Sequence, residues 1–254
     1  MLLILRIPGA AADNYALEMS RIPVGIREAS MGGAGSAVPE GPSSVYYNCA
    51  SMMRGNKPAL EFSYSPLFGG LSDYSSFSAV FPARNSFAVG AAYLHHETDD
   101  IPVFDTLLNT AEYRLNNFGS RSDGVPSGSA VNIQEQVLIG ISKLFTFEVP
   151  RVNPYSVKLP FRAGGGLTIK YHKNYLALPG SDFSGIGQSL DFSFYSDIAL
   201  SADGETGETV NRISAGINLR DALGSSINWN TGTADPVRGS VQYGLGYMHR
   251  FPEA

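Results

Sequence analysis

From residue 59 onward, apolar side chains alternate with polar or small ones along most of the chain. The segment 161–172 shows the pattern most fully. One set of its side chains is Phe161, Ala163, Gly165, Leu167, Ile169 and Tyr171, and the other is Arg162, Gly164, Gly166, Thr168, Lys170 and His172. Because successive side chains of a β-strand point to opposite faces, the alternation predicts strands with one apolar and one polar face. The sequence is therefore predicted to be all-β, with antiparallel strands.

About eight segments carry this alternation. They are 59–68, 75–82, 86–95, 133–147, 161–173, 189–201, 210–219 and 239–251. Residues typical of turns separate them in the stretches 116–129, 150–160, 202–207 and 228–236. Residues 103–115 are predicted to form a short helix inside a long loop. This pattern predicts a β-domain over residues 57–254, preceded by a segment of different character.

The length of the segments separates two all-β architectures. Strands of a soluble sandwich usually run about 5–6 residues, whereas strands that cross a membrane need about 9–11. Phe161 and Tyr171 lie on the same apolar face, about 33 Å apart along an extended strand. A tilt near 40° reduces that span to about 25 Å, the height of the apolar band of an outer-membrane barrel. The spacing favours a transmembrane barrel, and a secreted β-protein that acts in adhesion remains the alternative.

The composition of the chain also favours a transmembrane barrel. Charged residues make up 16% of the chain, below the roughly 25% of an average soluble domain, and the net charge is -5. No basic stripe is present that could neutralise phosphates, so a nucleic-acid partner is not expected. A single cysteine excludes an internal disulfide.

Residues 1–20 are interpreted as the remnant of an export signal or as a tail, because the apolar run at their start is short for a signal peptide.

Residues 21–56 do not alternate and are rich in small side chains. They contain two short motifs. The motif residues are Gly25, Arg27, Ala29, Met31, Gly32, Gly33 and Ala34 in the first block, and Tyr46, Tyr47, Asn48, Cys49 and Ala50 in the second. This arrangement resembles the N-terminal region of the outer-membrane long-chain fatty-acid transporter (FadL-type) family, and within it the PorV-type branch and its uncharacterised relatives. Tyr47 stands where the family pattern has Trp, and Cys49 stands where it has Pro. Because proline lacks a backbone N–H, the cysteine restores a hydrogen-bond donor at this position.

The resemblance implies a 14-stranded barrel in the bacterial outer membrane, with residues 21–56 folded inside it as a plug. Its implied role is passive uptake of long-chain fatty acids or other hydrophobic small molecules, without chemistry or cofactors. The PorV-type branch implies an alternative role, a shuttle or docking protein for secreted proteins. The expected partners are thus membrane lipid, a hydrophobic ligand and, in the alternative, a secreted protein.

The strand count has a consequence of its own. Eight strands enclose an interior barely wide enough for side chains, so a plug of about 35 residues would not fit inside them. An open sheet in lipid would leave backbone groups unpaired at its edges. The chain is therefore expected to lack about six C-terminal strands. The alternative is a narrow closed barrel with the N-terminal segment outside.

Candidate site residues come from the polar face. Arg162, Lys170, Arg212 and Arg250 are expected to face the lumen, where they pair with Asp191 and Asp197 or attract a carboxylate. The run Gly164-Gly165-Gly166 is interpreted as a close approach of the plug, a kink with a lateral exit, or a simple bulge.

Metal and catalytic sites are not expected. Consecutive strand residues such as His95 and His96 point to opposite faces, which is poor metal geometry, and Glu97, Asp99 and Asp100 read as a polar loop. The sequence places no nucleophile beside His172 or His249, so the chain is not expected to be an enzyme.

Overall fold

The alternation is realised as an antiparallel sheet of ten strands in a computed structural model, which describes residues 15–38, 41–55, 57–104, 107, 109–117, 124–149, 159–202 and 209–249. The strands are β1 (Ala59–Leu67), β2 (Ser72–Pro82), β3 (Phe87–Val103), β4 (Gly128–Val149), β5 (Leu159–Leu178), β6 (Ser181–Ala202), β7 (Thr209–Ala222), β8 (Ser225–Trp229), β9 (Ala234–Val237) and β10 (Ser240–His249). The α-helices are α1 (Ile26–Ser30), α2 (Ser44–Tyr47) and α3 (Ala111–Asn116), and 3₁₀ helices cover Tyr15–Arg21, Cys49–Arg54 and Arg84–Ser86.

The main sheet follows the chain. Its order is β1-β2-β3-β4-β5-β6-β7-β10, and each neighbour is antiparallel to the next. Within the described residues β1 and β10 form opposite edges and do not pair with each other. The sheet curls into a half-barrel. The alternative of a narrow closed barrel is therefore wrong for this part of the chain.

The two faces of the sheet have opposite chemistry. We call the face that packs against residues 15–55 the inner face and the opposite one the outer face. Large apolar side chains of the outer face are exposed, among them Phe62, Phe77, Val89, Ile139, Phe145, Ile169, Phe194, Ile217 and Leu245. Polar and charged side chains of the inner face are buried, among them Gln136, Thr168, Lys170, His172, Asp191, Asp197, Asn218 and Arg220. This is the reverse of a water-soluble sheet, which buries its apolar face.

Residues 15–55, which we call the inner segment, lie within the curl of the sheet. The short helix Cys49–Arg54 contacts five neighbouring strands, β2 through β6. Met19, Val24, Val45 and Met52 form the apolar core together with inner-face residues such as Leu138. Since Leu17 and Met19 are buried, the packed part of this segment begins before residue 21.

The upper end of the half-barrel, where β5 turns into β6, carries a small hairpin of β8 and β9. Strand β6 pairs with β7 only from Leu190 onward, and at Gly185–Gly187 it pairs with β8 instead. Ile227 and Val237 of the hairpin bury Leu17 of the inner segment. The hairpin thereby covers the upper end of the inner segment.

Several boundaries differ from the sequence prediction. The stretch 228–236 was expected to be a turn, but the end of β8 and the start of β9 lie within it. Strand β3 extends to Val103 and β4 begins at Gly128. Both strands are therefore much longer than the segments of alternating apolar residues that predicted them. The predicted helix within 103–115 is present only as α3, and strand β5 already begins at Leu159. Residues 95–100 of β3 are all polar or charged, so both faces are polar there and the two-residue alternation is lost.

None of the helices in the described part of the chain has the length and apolar character that crossing a membrane requires.

Candidate functional site: the inner segment and the polar face beneath it

The first motif block forms α1 and the turn that follows it. Gly25 precedes the helix with a φ of 82°, and a Cβ atom there would lie 2.8 Å from Oε2 of Glu28. Met31 ends the helix, and Gly32 and Gly33 follow it with φ of 67° and 80°. The positive φ values are accessible mainly to glycine, which explains the residue type. Ala34 then leads into the stretch that crosses the sheet.

Arg27 holds this turn in place. Its Nη1 donates to the carbonyl oxygen of Val38 at 2.7 Å and lies 3.2 Å from the buried carboxylate of Glu28. The arginine thus connects α1 to the end of the extended stretch and compensates a buried charge.

The second motif block is buried and bonded in several directions. Asn48 Nδ2 donates to the carbonyl oxygens of Ser36 at 2.8 Å and of Phe194 in β6 at 3.0 Å. The Tyr47 hydroxyl accepts from the backbone N–H of Val24 at 2.9 Å, and the Tyr46 hydroxyl donates to the carbonyl oxygen of Ser20. The block therefore connects the earlier part of the inner segment to the sheet, which we also call the wall.

The residues Cys49 and Ala50 lie against the wall itself. Cys49 Sγ is 3.4 Å from the carbonyl oxygen of Ile141 and 3.6 Å from that of Leu167. Burial raises the pKa of the Cys49 thiol to about 11. A buried thiol with a raised pKa is a packing group rather than a nucleophile.

Five glycines form a seat for the inner segment across the inner face. They are Gly90, Gly140, Gly166, Gly216 and Gly244, on β3, β4, β5, β7 and β10. A Cβ atom at Gly140 would lie 2.8 Å from Cys49 Sγ, and one at Gly166 would lie 2.6 Å from the backbone nitrogen of Ala50. We call these residues the glycine belt. Without side chains here, the wall lets the inner segment approach directly, by side chains at Gly90 and Gly140 and by its backbone at Gly166 and Gly216.

The belt follows from strand register. Gly90 pairs with Gly140 across β3 and β4, and Gly216 pairs with Gly244 across β7 and β10. Sequence reasoning singled out only the triplet at 164–166. The missed signal is that all five glycines occupy polar-face positions of their strands.

Within the triplet Gly164-Gly165-Gly166 the three residues have different surroundings. Gly166 belongs to the belt. A Cβ atom at Gly164 would lie 2.6 Å from the carbonyl oxygen of Lys143 in the neighbouring strand, whereas the nearest atom to one at Gly165, on the outer face, is 3.9 Å away. Strand β5 keeps an unbroken register with both neighbours here, so the simple bulge is wrong. A lateral exit at this place stays a prediction.

Lys170 is the centre of a buried charge network in the upper half of the inner face. Its Nζ lies 2.7 Å from Asp191 Oδ1 and 2.5 Å from Asp221 Oδ1. Arg220 is the second cation and stacks over the Tyr46 ring at 4.4 Å. The formal charges of the two cations and the two carboxylates cancel. We call Lys170, Arg220, Asp191 and Asp221 the upper network.

The same network places a serine beside His172, which the sequence did not predict. His172 Nε2 is 2.8 Å from Ser189 Oγ, and its Nδ1 is 2.9 Å from Gln136 Nε2. The Ser189 hydroxyl donates its one proton to Asp221 at 2.7 Å, so His172 acts as donor to it rather than as base. With His172 fully buried, the arrangement is a structural hydrogen-bond chain.

A second cluster lies at the lower end of the inner face, where β5 and β7 begin. Arg162 binds Asp197 with two hydrogen bonds of 2.9 and 2.7 Å, and the Tyr195 hydroxyl donates to the same carboxylate at 2.7 Å. Arg54, the last residue of the helix Cys49–Arg54, lies 4.0 Å from Asp197, and Arg212 is in electrostatic contact with all three charges. We call Arg54, Arg162 and Arg212 the arginine cluster.

Sequence reasoning named Arg162 and Arg212 but missed Arg54, because it lies in a segment without alternation. Arg250, the fourth predicted lumen residue, lies outside the described residues.

The histidine pair of β3 divides between the faces. His96 bonds to Ser72 Oγ at 2.7 Å on the inner side, while His95 lies 3.3 Å from Glu97 and 3.9 Å from Glu135 on the outer side. The part of the chain that the structure describes holds no group of three or more metal-ligating side chains.

Comparison with protein-family models, with curated proteins and with solved structures finds no match for this chain. The site is therefore interpreted from its own contacts.

Proposed function

We propose that this chain forms part of the wall of a bacterial outer-membrane β-barrel, with the inner segment as its plug, and that the barrel mediates passive uptake of hydrophobic small molecules such as long-chain fatty acids. The observation that carries the proposal is the reversed polarity of the sheet. Charged side chains such as Lys170 are buried on its inner face, while a continuous field of large apolar side chains is exposed on its outer face.

An exposed apolar field of this extent is unusual for a monomer in water, where patches rarely exceed a few hundred Å². Hydrocarbon would satisfy it. The field is bordered by aromatic side chains: Tyr93 and Tyr171 at its upper side, Phe147 and Phe161 at its lower side. Phe161 and Tyr171 are ten strand positions apart, which corresponds to about 25 Å along the membrane normal at the usual tilt.

The polar groups just above this border fit a lipid–water interface. Tyr93 donates to Glu135 at 2.6 Å, and Lys173 pairs with Glu135 at 2.9 Å. Tyrosine rings with their hydroxyl groups toward water are typical of the girdles of membrane barrels.

A sheet in lipid must have its edge strands paired, because unpaired backbone groups are costly there. Strands β1 and β10 therefore need partners in the assembled barrel. A barrel of about 14 strands supplies them and leaves room for the inner segment, as the family resemblance implies.

The glycine belt makes uptake the better supported role. The plug rests on the wall through the side chains of Val45, Met52 and Cys49 at Gly90 and Gly140 and through the Ala50 backbone at Gly166, so no wall side chain projects into it at these three positions. Moving it would open a passage along the inner face.

Uptake of radiolabelled oleate by cells that express the full chain tests the proposal. Gly166→Val places a side chain beneath Ala50, so we expect a displaced plug and an altered uptake rate. Gly165→Val changes the outer face of the same strand and serves as the matched control, with uptake unchanged.

Three results would contradict the proposal: recovery of the chain in the soluble periplasm, uptake equal to that of cells without the chain, or equal effects of the two substitutions. Co-purification of a stoichiometric secreted protein in place of lipid would favour the docking alternative.

A further inference from the structure

The β8–β9 hairpin is attached to the half-barrel like a flap. Its two strands leave the wall through short connections, Leu223–Gly224 after β7 and Arg238–Gly239 before β10. The connections lie side by side, because Ser225 and Val237 at the base of the hairpin pair with each other. The hairpin is therefore joined to the wall along one short line, which is the geometry of a hinge.

The backbone of the first connection is strained. Asp221 and Leu223 have φ of 51° and 75°, and Gly224 follows with φ of 65°. The left-handed region is disfavoured for a bulky residue such as leucine, and strain of this kind is concentrated in segments that switch conformation. The side chain of Leu223 is exposed, so its packing does not hold the strained backbone. Asp221 holds it from the wall side, since its N–H donates to Asp191 Oδ1 at 2.8 Å and its carboxylate belongs to the upper network.

The hairpin pairs with the wall over a short length. Within the described residues β8 pairs with β6 at three positions, Gly185–Gly187, whereas β6 pairs with β7 along most of its remaining length. A Cβ atom at Gly185 would lie 2.6 Å from the Ile227 side chain, and one at Gly187 would lie 2.6 Å from the carbonyl oxygen of Ser226. The hairpin thus lies directly on wall backbone, with no wall side chain interlocked with it at these two glycines. A two-stranded hairpin with so few further contacts is marginally stable.

The free end of the hairpin is held to β6 by Asn230. Its N–H donates to the carbonyl oxygen of Ser184 at 2.8 Å, its Oδ1 accepts from the N–H of Ser184 at 3.2 Å, and its Nδ2 donates to the carbonyl oxygen of Asp182 at 3.1 Å. The bonds of the side chain are exposed, so water can replace them at a modest cost. The neighbouring Thr231 hydroxyl bonds instead to Thr233 of the same turn. Asn230 therefore acts as a catch between the hairpin and β6.

We infer that the β8–β9 hairpin is a lid over the upper end of the inner segment, which swings about its two connections and is held closed by Asn230. In the closed position Ile227 and Val237 cover Leu17, and β9 packs on the 3₁₀ helix Tyr15–Arg21. Opening uncovers Leu17 without breaking the main sheet, because β6, β7 and β10 pair with one another independently of the hairpin. A ligand that enters from the upper end passes this point, so the lid controls entry, a role that rests on the proposed uptake function.

Labelling of a thiol beneath the lid measures its opening. Leu17→Cys in a Cys49→Ala background places the one thiol of the chain under the hairpin. In detergent micelles we expect slow maleimide labelling of the full chain, and about fivefold faster labelling when Asn230→Ala is added, since two hydrogen bonds are lost. Thr231→Ala alters the same turn without touching the bonds to β6, so this matched control should leave the rate unchanged. Equal rates with Asn230→Ala and Thr231→Ala overturn the lid.

A cross-link tests whether the lid controls entry. Ile186 of β6 and Asn228 of β8 lie directly opposite each other and are exposed. The Cα atoms of opposed residues are about 4.5–5.5 Å apart, a separation that suits a disulfide. Ile186→Cys with Asn228→Cys, in the Cys49→Ala background, should stop oleate uptake by cells when oxidised, and a reductant should restore it. Tyr171→Cys with Gln188→Cys joins β5 to β6 on the outer face beside the lid, and this matched control should leave uptake unchanged.

Full uptake with the disulfide between positions 186 and 228 formed, as verified by mass, overturns the control of entry. An equal loss of uptake with both cross-links overturns it as well, because the loss then does not depend on the hairpin. Failure of the uptake function is seen separately: the unmodified chain then gives no uptake above that of cells without it, while the labelling of Leu17→Cys still reports whether the hairpin opens.

Discussion

Strand β5 presents two faces that differ in almost every respect although they share one backbone. On the inner face, Lys170 is enclosed by two carboxylates and Gly166 touches the inner segment. On the outer face, Lys173 forms an exposed pair with Glu135, and a Cβ atom at Gly165 would meet its nearest neighbour only at 3.9 Å. Specific contacts are therefore concentrated on the polar face, while the apolar face is uniform and suited to a fluid surrounding.

The largest expected effect comes from breaking the upper network. Lys170→Met leaves Asp191 and Asp221 buried without their shared cation, and removing one partner of a buried ion pair costs about 3–5 kcal/mol. Lys173→Met removes an exposed cation from the other face and should leave the free energy of unfolding within experimental error. Urea unfolding of the full chain in phospholipid vesicles measures both.

Equal destabilisation by the two lysine substitutions would show that the inner face is as solvated as the outer one. Asp191→Asn combined with Lys170→Met provides a further check, because removing a carboxylate together with the cation should recover part of the loss.

The next effect in size concerns the apolar face. Ile139 pairs with Ile169 in the middle of the outer face. Ile139→Arg should therefore cost about 2–4 kcal/mol of folding free energy in a bilayer. Gln188 pairs with Tyr171 at the upper border, where Gln188→Arg should cost about 0–1 kcal/mol. The same urea titration compares them. A similar cost at both depths would argue against a bilayer around this face.

A smaller effect separates the two adjacent glycines. Gly166→Ala introduces a methyl group 2.6 Å from the Ala50 nitrogen, and overpacking of this kind costs about 1–3 kcal/mol. Gly165→Ala meets its nearest atom at 3.9 Å and should be neutral. Limited proteolysis near Arg54 reports the position of the inner segment: we expect faster cleavage for Gly166→Ala alone. Cleavage at equal rates in both variants would mean that the glycine belt does not hold the inner segment.

Much of the sheet was predictable from the sequence because the alternation is strong where one face is apolar. The alternation predicts the eight long strands, and it predicts that residues such as Arg162 and Lys170 lie on the polar face. The alternation does not extend to β8 and β9, which have only five and four residues, so the hairpin was missed.

The site was less predictable because it depends on register between distant strands. The glycine belt joins Gly90 to Gly140 and Gly216 to Gly244, pairs that only the folded sheet brings together. Arg54 joins the arginine cluster from a segment that has no period at all. Similarly, Ser189 meets His172 only through the pairing of β5 and β6.

The smallest effect at neutral pH involves Cys49, whose reactivity reports whether the inner segment is packed against the sheet. Burial raises its thiol pKa from 9.0 to about 11, so at pH 7.5 the thiolate fraction is about a hundredfold below that of an unperturbed thiol. Maleimide labelling of the native chain should therefore be slow, and fast after unfolding in urea. A cysteine introduced at exposed Ser184 in a Cys49→Ala background should label rapidly without urea.

The raised pKa also fixes the sign of a pH effect. The folded state disfavours the thiolate, so the contribution of Cys49 to stability is complete below pH 9 and is lost as the pH rises through about 11. Cys49→Ala should remove this alkaline decline while the decline from other groups remains. Gly166→Ala should raise the labelling rate of Cys49 at pH 7.5 if the inner segment shifts as a unit, and an unchanged rate would mean that Ala50 moves without its neighbour.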